Sequence, residues 1–335
     1  MESLDLRVLG DALAWRDAGH AVTLVTVVQT WGSAPRPPGA LLAVRDDGMV
    51  SGSVSGGCVE DDLIARTKAA FADMRLEPDR ARPTVITYGV SKEEATRFGL
   101  PCGGTLRLVQ EPLLGSGWVA QLLARTTAHQ LVARTLTLAT GAVELADAVR
   151  GQDLRFDGST MTQVFGPKWR LLLIGAGQLS LAVAQMATML DFDVLVCDPR
   201  EEYAAGLGAM AGGVQRIEGM PDDVVRTLVP DAHMAIVALT HDPKLDDMAL
   251  LAALQSDAFY VGALGSRRNQ ETRKKRLAEH FDLSADELAR LHGPVGLALG
   301  AKTPAEIAVA IMAELVQVKN LVTTATPSAT GRALA

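Results

Sequence analysis

Residues 170–198 read RLLLIGAGQLSLAVAQMATMLDFDVLVCD, and the order of elements in this stretch decides the fold of the second half of the chain. Arg170 to Ile174 is a short apolar run bounded by glycine, which predicts a buried strand. Gly175-Ala176-Gly177 follows at once, then helical spacing from Gln178 to about Leu190. Phe192 to Cys197 is a second strand, and it ends in Asp198. Strand, glycine turn, helix, strand and acid in this order form the layout that seats a pyrophosphate on a helix N-terminus. Ser180 stands where a third glycine or alanine is usual, and it is small enough to let helix and sheet pack closely.

Working outward, Ala232–Leu239 is another strand ending in Thr240-His241-Asp242. Ala258–Val261 is a further one, running into Gly262-Ala263-Leu264-Gly265-Ser266-Arg267-Arg268. Ligands of such sheets bind beyond the carboxyl ends of the strands. The segments GAGQ, CDPR, LTHD and GALGSRR therefore share one edge. The expectation is a Rossmann-like doubly wound parallel sheet domain over residues 169–320. Its candidate cofactor contacts are Gly175 and Gly177 for close backbone approach, Asp198 for a ribose, Arg267 for a phosphate, and His241 as proton carrier or hydrogen-bond donor. Cys197, inside a strand, reads as structural. Thr303-Pro304-Ala305-Glu306 is a helix-start signature for a helix to about Lys319. Residues 321–335 read as a flexible tail.

The first half is organised around Gly52–Glu60, GSVSGGCVE, with Leu100–Gly104, LPCGG, as its companion. Each sets a cysteine beside a glycine pair, and glycine permits close ligand approach or positive φ. Gly56, Gly57, Cys58, Cys102 and Gly103 are thus candidate cofactor contacts. Cys58 is expected at the start of a helix, where N–H groups favour an anion or thiolate; Glu60, Asp61 and Asp62 oppose that charge. Ligand contact and a tight packed turn both stay open. Before this loop come a helix over Leu4–Ala18 stopped at Gly19, a strand over Ala21–Thr30, and a proline loop, Trp31–Gly39, carrying Arg36 as a phosphate candidate. A hairpin turns at Asp47-Gly48. Thr84–Tyr88 and Thr105–Gln110 are strands, with a short helix and turn between them over 91–101. Residues 1–112 are read as a mixed α/β N-terminal domain, and 113–168 as a small extension and linker, in which Gly117–Ala128 is helical in pattern, Leu131–Leu138 strand-like and residues 151–167 polar and turn-rich.

Composition bounds the function. At 335 residues the chain is expected to hold two domains. A hydrophobic fraction of 48% with 21% charged residues describes an ordinary soluble globular protein. The net charge of −7 argues against nucleic acid or an anionic membrane as main partner. No run approaches a membrane span, and the first residues lack a secretory pattern, so a cytoplasmic location is expected. Three scattered cysteines make neither a disulfide framework nor a zinc pattern.

The ordered set GSAPRPPGA, GSVSGGCVE, LPCGG, LLLIGAGQ, VCDPR, LTHD, YVGALGSRR and GPVGLALGAKTPAEIA resembles the xanthine dehydrogenase accessory protein family (XdhC/CoxI) over nearly the whole chain. The resemblance implies a carrier rather than a catalyst. Such a protein binds molybdenum cofactor, as molybdopterin or its cytosine dinucleotide form, and protects it while its sulfido ligand is installed. It then hands the cofactor to an apo molybdenum hydroxylase of the xanthine or aldehyde dehydrogenase type, with a cysteine desulfurase as a second partner. The matching positions are Gly56, Gly57, Cys58, Cys102, Gly103, Gly175, Gly177 and Asp198. Within that reading, Cys58 and Cys102 are soft ligands able to touch the molybdenum. Gln178 stands where the family commonly has histidine, and Ala298 where it commonly has aspartate. Two other readings remain: an NAD(P)-dependent oxidoreductase using Asp198 and His241, and a thiol-based sulfur transferase using Cys58. The sequence leaves homodimerisation open.

Overall fold

In the computed structural model, β1 (Val22–Trp31) forms from the β-branched run and becomes the middle strand of an antiparallel sheet. Its companions are β2 (Leu41–Arg45), β3 (Val50–Gly52), β4 (Thr84–Tyr88) and β5 (Thr105–Pro112), in the order β3-β2-β1-β5-β4. The structure describes residues 3–31, 36–57, 59–74, 82–89, 105–149, 152–204 and 213–324. The helix and turn expected over 91–101 lie outside them. The chain divides into two units, Met1–Pro167 and Lys168–Ala335.

β1 is buried along most of its length because both faces of its sheet are covered. Val22 and Leu24 pack with Val8 and Leu9 of α1 (Ser3–Asp17). Val25 and Val27 point the other way, into a cluster with Leu42, Leu108 and Leu63 of α2 (Glu60–Met74). Alternate residues of the strand thus serve two cores at once. The expected hairpin is present as β2 and β3, turning through Gly48 at φ 95°.

Residues 113–168 are a correction to the expected extension and linker. They carry α3 (Gly117–Thr127), β6 (Val132–Thr137), β7 (Ala142–Asp147), β8 (Arg155–Phe156) and β9 (Thr160–Phe165). The strands form an antiparallel sheet ordered β7-β6-β9-β8. Val119, Leu122, Val132 and Phe165 join the same cluster as Val22 and Leu24, so this segment completes the first unit. The helical pattern over Gly117–Ala128 and the strand-like run Leu131–Leu138 are α3 and β6; β7, β8 and β9 carry no such signal, and in β9 an inward buried polar residue, Gln163, breaks the apolar alternation.

The second unit has the expected parallel sheet. β10 (Arg170–Ile174), β11 (Asp193–Cys197), β12 (Val214–Ile217), β13 (Met234–Ala238), β14 (Tyr260–Ala263) and β15 (Leu291–His292) lie in the order β12-β11-β10-β13-β14-β15. All the pairings are parallel. This is the order of a doubly wound dinucleotide fold, with the topological switch between β10 and β13. One face packs on α4 (Gln178–Met189) and α10 (Pro304–Thr324) through Val183, Ala187, Ile311 and Leu315. The other packs on α6 (Pro221–Leu228), α7 (Pro243–Leu254) and α8 (Arg267–Phe281), through residues such as Val225, Leu250 and Leu277. α5 (Glu201–Ala204) and α9 (Ala285–Ala289) are short. Because α10 runs to Thr324, residues 321–324, expected in the tail, are helical.

Candidate functional site

The glycine-cysteine loop of the first unit closes on a carboxylate. Glu60, at the start of α2, accepts at Oε1 from Ser53 Oγ (2.7 Å), Val54 N–H (3.1 Å) and Ser55 N–H (3.0 Å). Its Oε2 accepts from Gly57 N–H (3.0 Å), Val59 N–H (3.2 Å) and the Ser55 hydroxyl. Burial by itself would push this carboxyl up; the Ser55 and Ser53 hydroxyls and the loop amides outweigh it and hold the pKa down at about 2. Gly56 and Gly57 turn the chain at φ 76° and 113°, a conformation L side chains rarely adopt, and both are exposed. Cys58, Cys102 and Gly103 lie outside the described residues.

The described neighbours of the two cysteines are nonetheless bound to one frame. Tyr88 donates its hydroxyl to Asp62 in the first turn of α2 (2.7 Å), and Tyr88 pairs in register with Leu106 at the start of β5. Asp62 follows Cys58 by four positions and Leu106 follows Cys102 by four. Arg36 lies half-buried on the loop after β1. That loop is fastened at Gly39, whose N–H donates to the Val27 carbonyl (2.7 Å) and whose carbonyl accepts from Gln163 Nε2 (2.7 Å). The segment expected to be a linker therefore holds the proline loop.

In the second unit the predicted turns meet at the switch point. Gly175 has φ 106°, and a Cβ there would lie 3.0 Å from Thr240 Cγ2, so the GAGQ and LTHD turns are in contact. Gly177 is the N-cap of α4 and offers no side chain to the first-turn amides, which leaves them for water or an anion. Ser180 is buried behind them. Its hydroxyl has no hydrogen-bond partner among the described residues.

Asp198 is placed at this edge, but its carboxylate is occupied from within. Oδ2 accepts from Ala176 N–H (2.9 Å) and Arg200 Nη2 (2.8 Å); Oδ1 accepts from Arg200 N–H (3.1 Å) and Arg200 Nε (2.9 Å). Burial would raise this carboxyl; the Arg200 guanidinium and the two amides outweigh it and lower it. Asp198 thus closes the glycine turn. Cys197 beside it is buried, donates to the Gly219 carbonyl (3.5 Å), and is pushed up to about 11 by burial, as suits a structural thiol.

His241 is exposed in the left-handed region at φ 65°, a conformation that costs energy for a non-glycine residue. A buried polar network holds it there. Asp246 accepts from the Thr240 hydroxyl (2.7 Å) and pairs with Arg273 of α8 (3.3 Å). Arg273 also bonds Asp247 (3.0 Å) and the Leu264 carbonyl (3.2 Å). One buried arginine therefore ties the LTHD turn to the GALGSRR turn. Arg267 and Arg268 stand exposed in the first turn of α8, which Ser266 caps through Asn269 N–H (3.2 Å).

The GPVGLALG segment is fastened by Glu314 of α10. Glu314 Oε2 accepts from Tyr260 Oη (2.6 Å) and Gly296 N–H (2.6 Å), and Oε1 lies 2.9 Å from His292 Nδ1. Leu297 N–H donates to the Ala310 carbonyl (3.1 Å). Sequence reasoning missed Glu60, Asp246, Arg273 and Glu314, the residues that shape the turns from behind. Only Glu60 left a local trace: a carboxylate in the first helical turn after a Ser/Gly-rich loop, as in a capping box. Among the described residues no cluster of three or more His, Cys, Asp or Glu side chains is placed to hold a metal ion. No helix there is long and apolar enough to cross a membrane.

Comparison with known proteins finds the XdhC and CoxI family model over residues 15–88 and the XdhC Rossmann domain over residues 171–315. A Bacillus subtilis protein, named as a probable subunit of xanthine dehydrogenase, is 30% identical over 93% of this chain and 97% of its own length. The Escherichia coli protein named molybdenum cofactor insertion chaperone PaoD is 28% identical over 90% of this chain and 85% of its own. A crystal structure described as a xanthine dehydrogenase from Bacillus halodurans superposes with a TM-score of 0.75 at 24% identity, covering 98% of both chains. That likeness shows a shared fold.

Proposed function

The chain belongs to the XdhC and CoxI family, and we propose that within it this protein carries molybdenum cofactor, shelters it while its sulfido ligand is installed, and delivers it to an apo molybdenum hydroxylase of the xanthine or aldehyde dehydrogenase type. The observation that carries the reading is that a relative named as a molybdenum cofactor insertion chaperone aligns over 90% of the chain, across both units. A cysteine desulfurase is the matching sulfur donor. The cytosol is the compartment where the exchange would take place, and a homodimer is compatible with it.

The residues present fit such a cargo. A pyranopterin tail carries phosphate, and the uncapped N-terminus of α4 behind Gly175 and Gly177 offers amides and a helix dipole to it. Arg267, exposed at a helix start, adds a cation. The metal end needs soft ligands, and we assign it to Cys58 and Cys102, with Gly56, Gly57, Gly103 and Arg36 around it. The protein's own work is to bind, orient and exclude water. The reactive sulfur chemistry belongs to the cargo and the desulfurase.

The second reading, an NAD(P)-dependent oxidoreductase, needs an acid free to take ribose hydroxyls. Asp198 spends both its oxygens on Ala176 and Arg200, which weighs against it. The test is purification from cells that make the cofactor, followed by molybdenum analysis and pterin fluorescence. Bound molybdenum and pterin are expected, and weakened retention in Cys58→Ala and Cys102→Ala. A chain that holds neither, or variants that retain cofactor and activate a hydroxylase as well as the parent does, would remove the carrier reading or the cysteine assignment respectively.

A further inference from the structure

Four backbone N–H groups and two hydroxyls that converge on one point form the kind of nest that takes a phosphate oxygen. In the Ser53–Val59 loop that nest is filled by the chain's own Glu60. Each carboxylate oxygen has three donors, so the acceptor capacity of the group is saturated. A second hydroxyl layer closes the turn: Ser53 Oγ also accepts from Gly56 N–H (2.9 Å), and Ser55 Oγ from Val59 N–H (3.0 Å). A Cβ at Gly57 would meet nothing within 4 Å among the described residues. The amides of the loop are thus spent on Glu60, while Gly57 itself has room beside it.

We infer that Glu60 is a positioning residue: an internal anion that holds the Gly56-Gly57 turn in its ligand-receiving shape and keeps phosphate out of it. The inference rests on the carrier reading for the identity of the ligand. It deepens that reading by removing this loop from the places where a phosphate could bind, since its amides already bind a carboxylate. Glutamine cannot replace Glu60. One oxygen would become an NH₂ that cannot accept from the donors facing it, and of the four amides on Glu60 only Val59 N–H keeps a second acceptor, Ser55 Oγ.

The test compares the full-length protein with Glu60→Ala and Glu60→Gln by amide hydrogen exchange and by cofactor retained on purification. In Glu60→Ala the Val54, Ser55 and Gly57 amides are expected to exchange about tenfold faster or more, in Glu60→Gln those facing the new NH₂ (Val54 and Ser55, or Gly57) likewise, and cofactor retention to fall with them. Formate or acetate added to Glu60→Ala refills the nest and restores both; neutral acetamide restores neither. Amides that stay protected without Glu60, or a released loop that still retains cofactor fully, overturn the proposal. Should the alanine variant not fold, Ser53→Ala keeps the carboxylate, removes one donor and gives a milder copy of both losses; undisturbed amides there also overturn it. If the parent chain holds no cofactor, the carrier reading fails, while amide exchange and formate rescue still decide the part played by Glu60.

Discussion

Gly175 and Thr240 lie so close that a Cβ on the glycine would sit 3.0 Å from Thr240 Cγ2 and 3.2 Å from its backbone nitrogen. The turn after β10 and the turn after β13 are therefore a single packed unit at the switch-point edge of the sheet. Gly175→Ala must adopt φ near 106° and push Thr240 aside. It is expected to destabilise the second unit by about 1–3 kcal/mol, read as a lower denaturation midpoint. An unchanged midpoint would mean the two turns are not packed as described.

Ser180 offers the opposite case. Its hydroxyl is buried without a hydrogen-bond partner among the described residues, and removing an unsatisfied buried polar atom relieves a desolvation cost. Ser180→Ala should be neutral or stabilising by up to about 1 kcal/mol, seen as an equal or higher Tm. A clear drop would show that the hydroxyl has a role in binding or folding that outweighs its desolvation.

Arg134 is buried against Glu111, with Nη2 2.6 Å from both carboxylate oxygens, and its guanidinium lies 4.1 Å from the Trp118 ring centroid. Arg134→Ala strands the Glu111 carboxylate and should cost about 3–5 kcal/mol in the first unit. The double change Arg134→Met with Glu111→Leu should cost far less, because no charge is left buried. Urea unfolding of the single and double variants gives the comparison; equal losses in the two would sink the account.

Glu314 fixes the acid side of the second unit's stability. Burial would raise its carboxyl, but His292, Tyr260 and Gly296 outweigh it, so the folded-state pKa is lowered. Such a group contributes stability that is fully present above the unfolded value of about 4.3 and is lost as pH falls through the lower folded value. Thermal unfolding of the parent and Glu314→Gln across that range should show the largest gap above about pH 5, closing in acid. Parallel curves would mean that the ionised carboxylate is not what holds the Gly296 segment.

Residues 170–198 carried the doubly wound fold on their own, because strand length, glycine spacing and helical period are local properties that water and backbone sterics read the same way in any context. The edges bearing GAGQ, CDPR, LTHD and GALGSRR followed from the same logic. Tertiary structure alone decided what those turns lean on. Gln163 meets Gly39 across 124 positions, Arg273 meets Asp246 across 27, and Glu314 meets Tyr260 across 54. Each is a polar side chain whose burial is tolerable only once a distant partner arrives to share its hydrogen bonds. The strand over 160–165 is hidden for the same reason, since an inward Gln163 looks solvated until its partner is seen. Asp198 was rightly placed at the edge, yet whether it faces a ribose or its own Arg200 depends on side-chain geometry that spacing cannot encode.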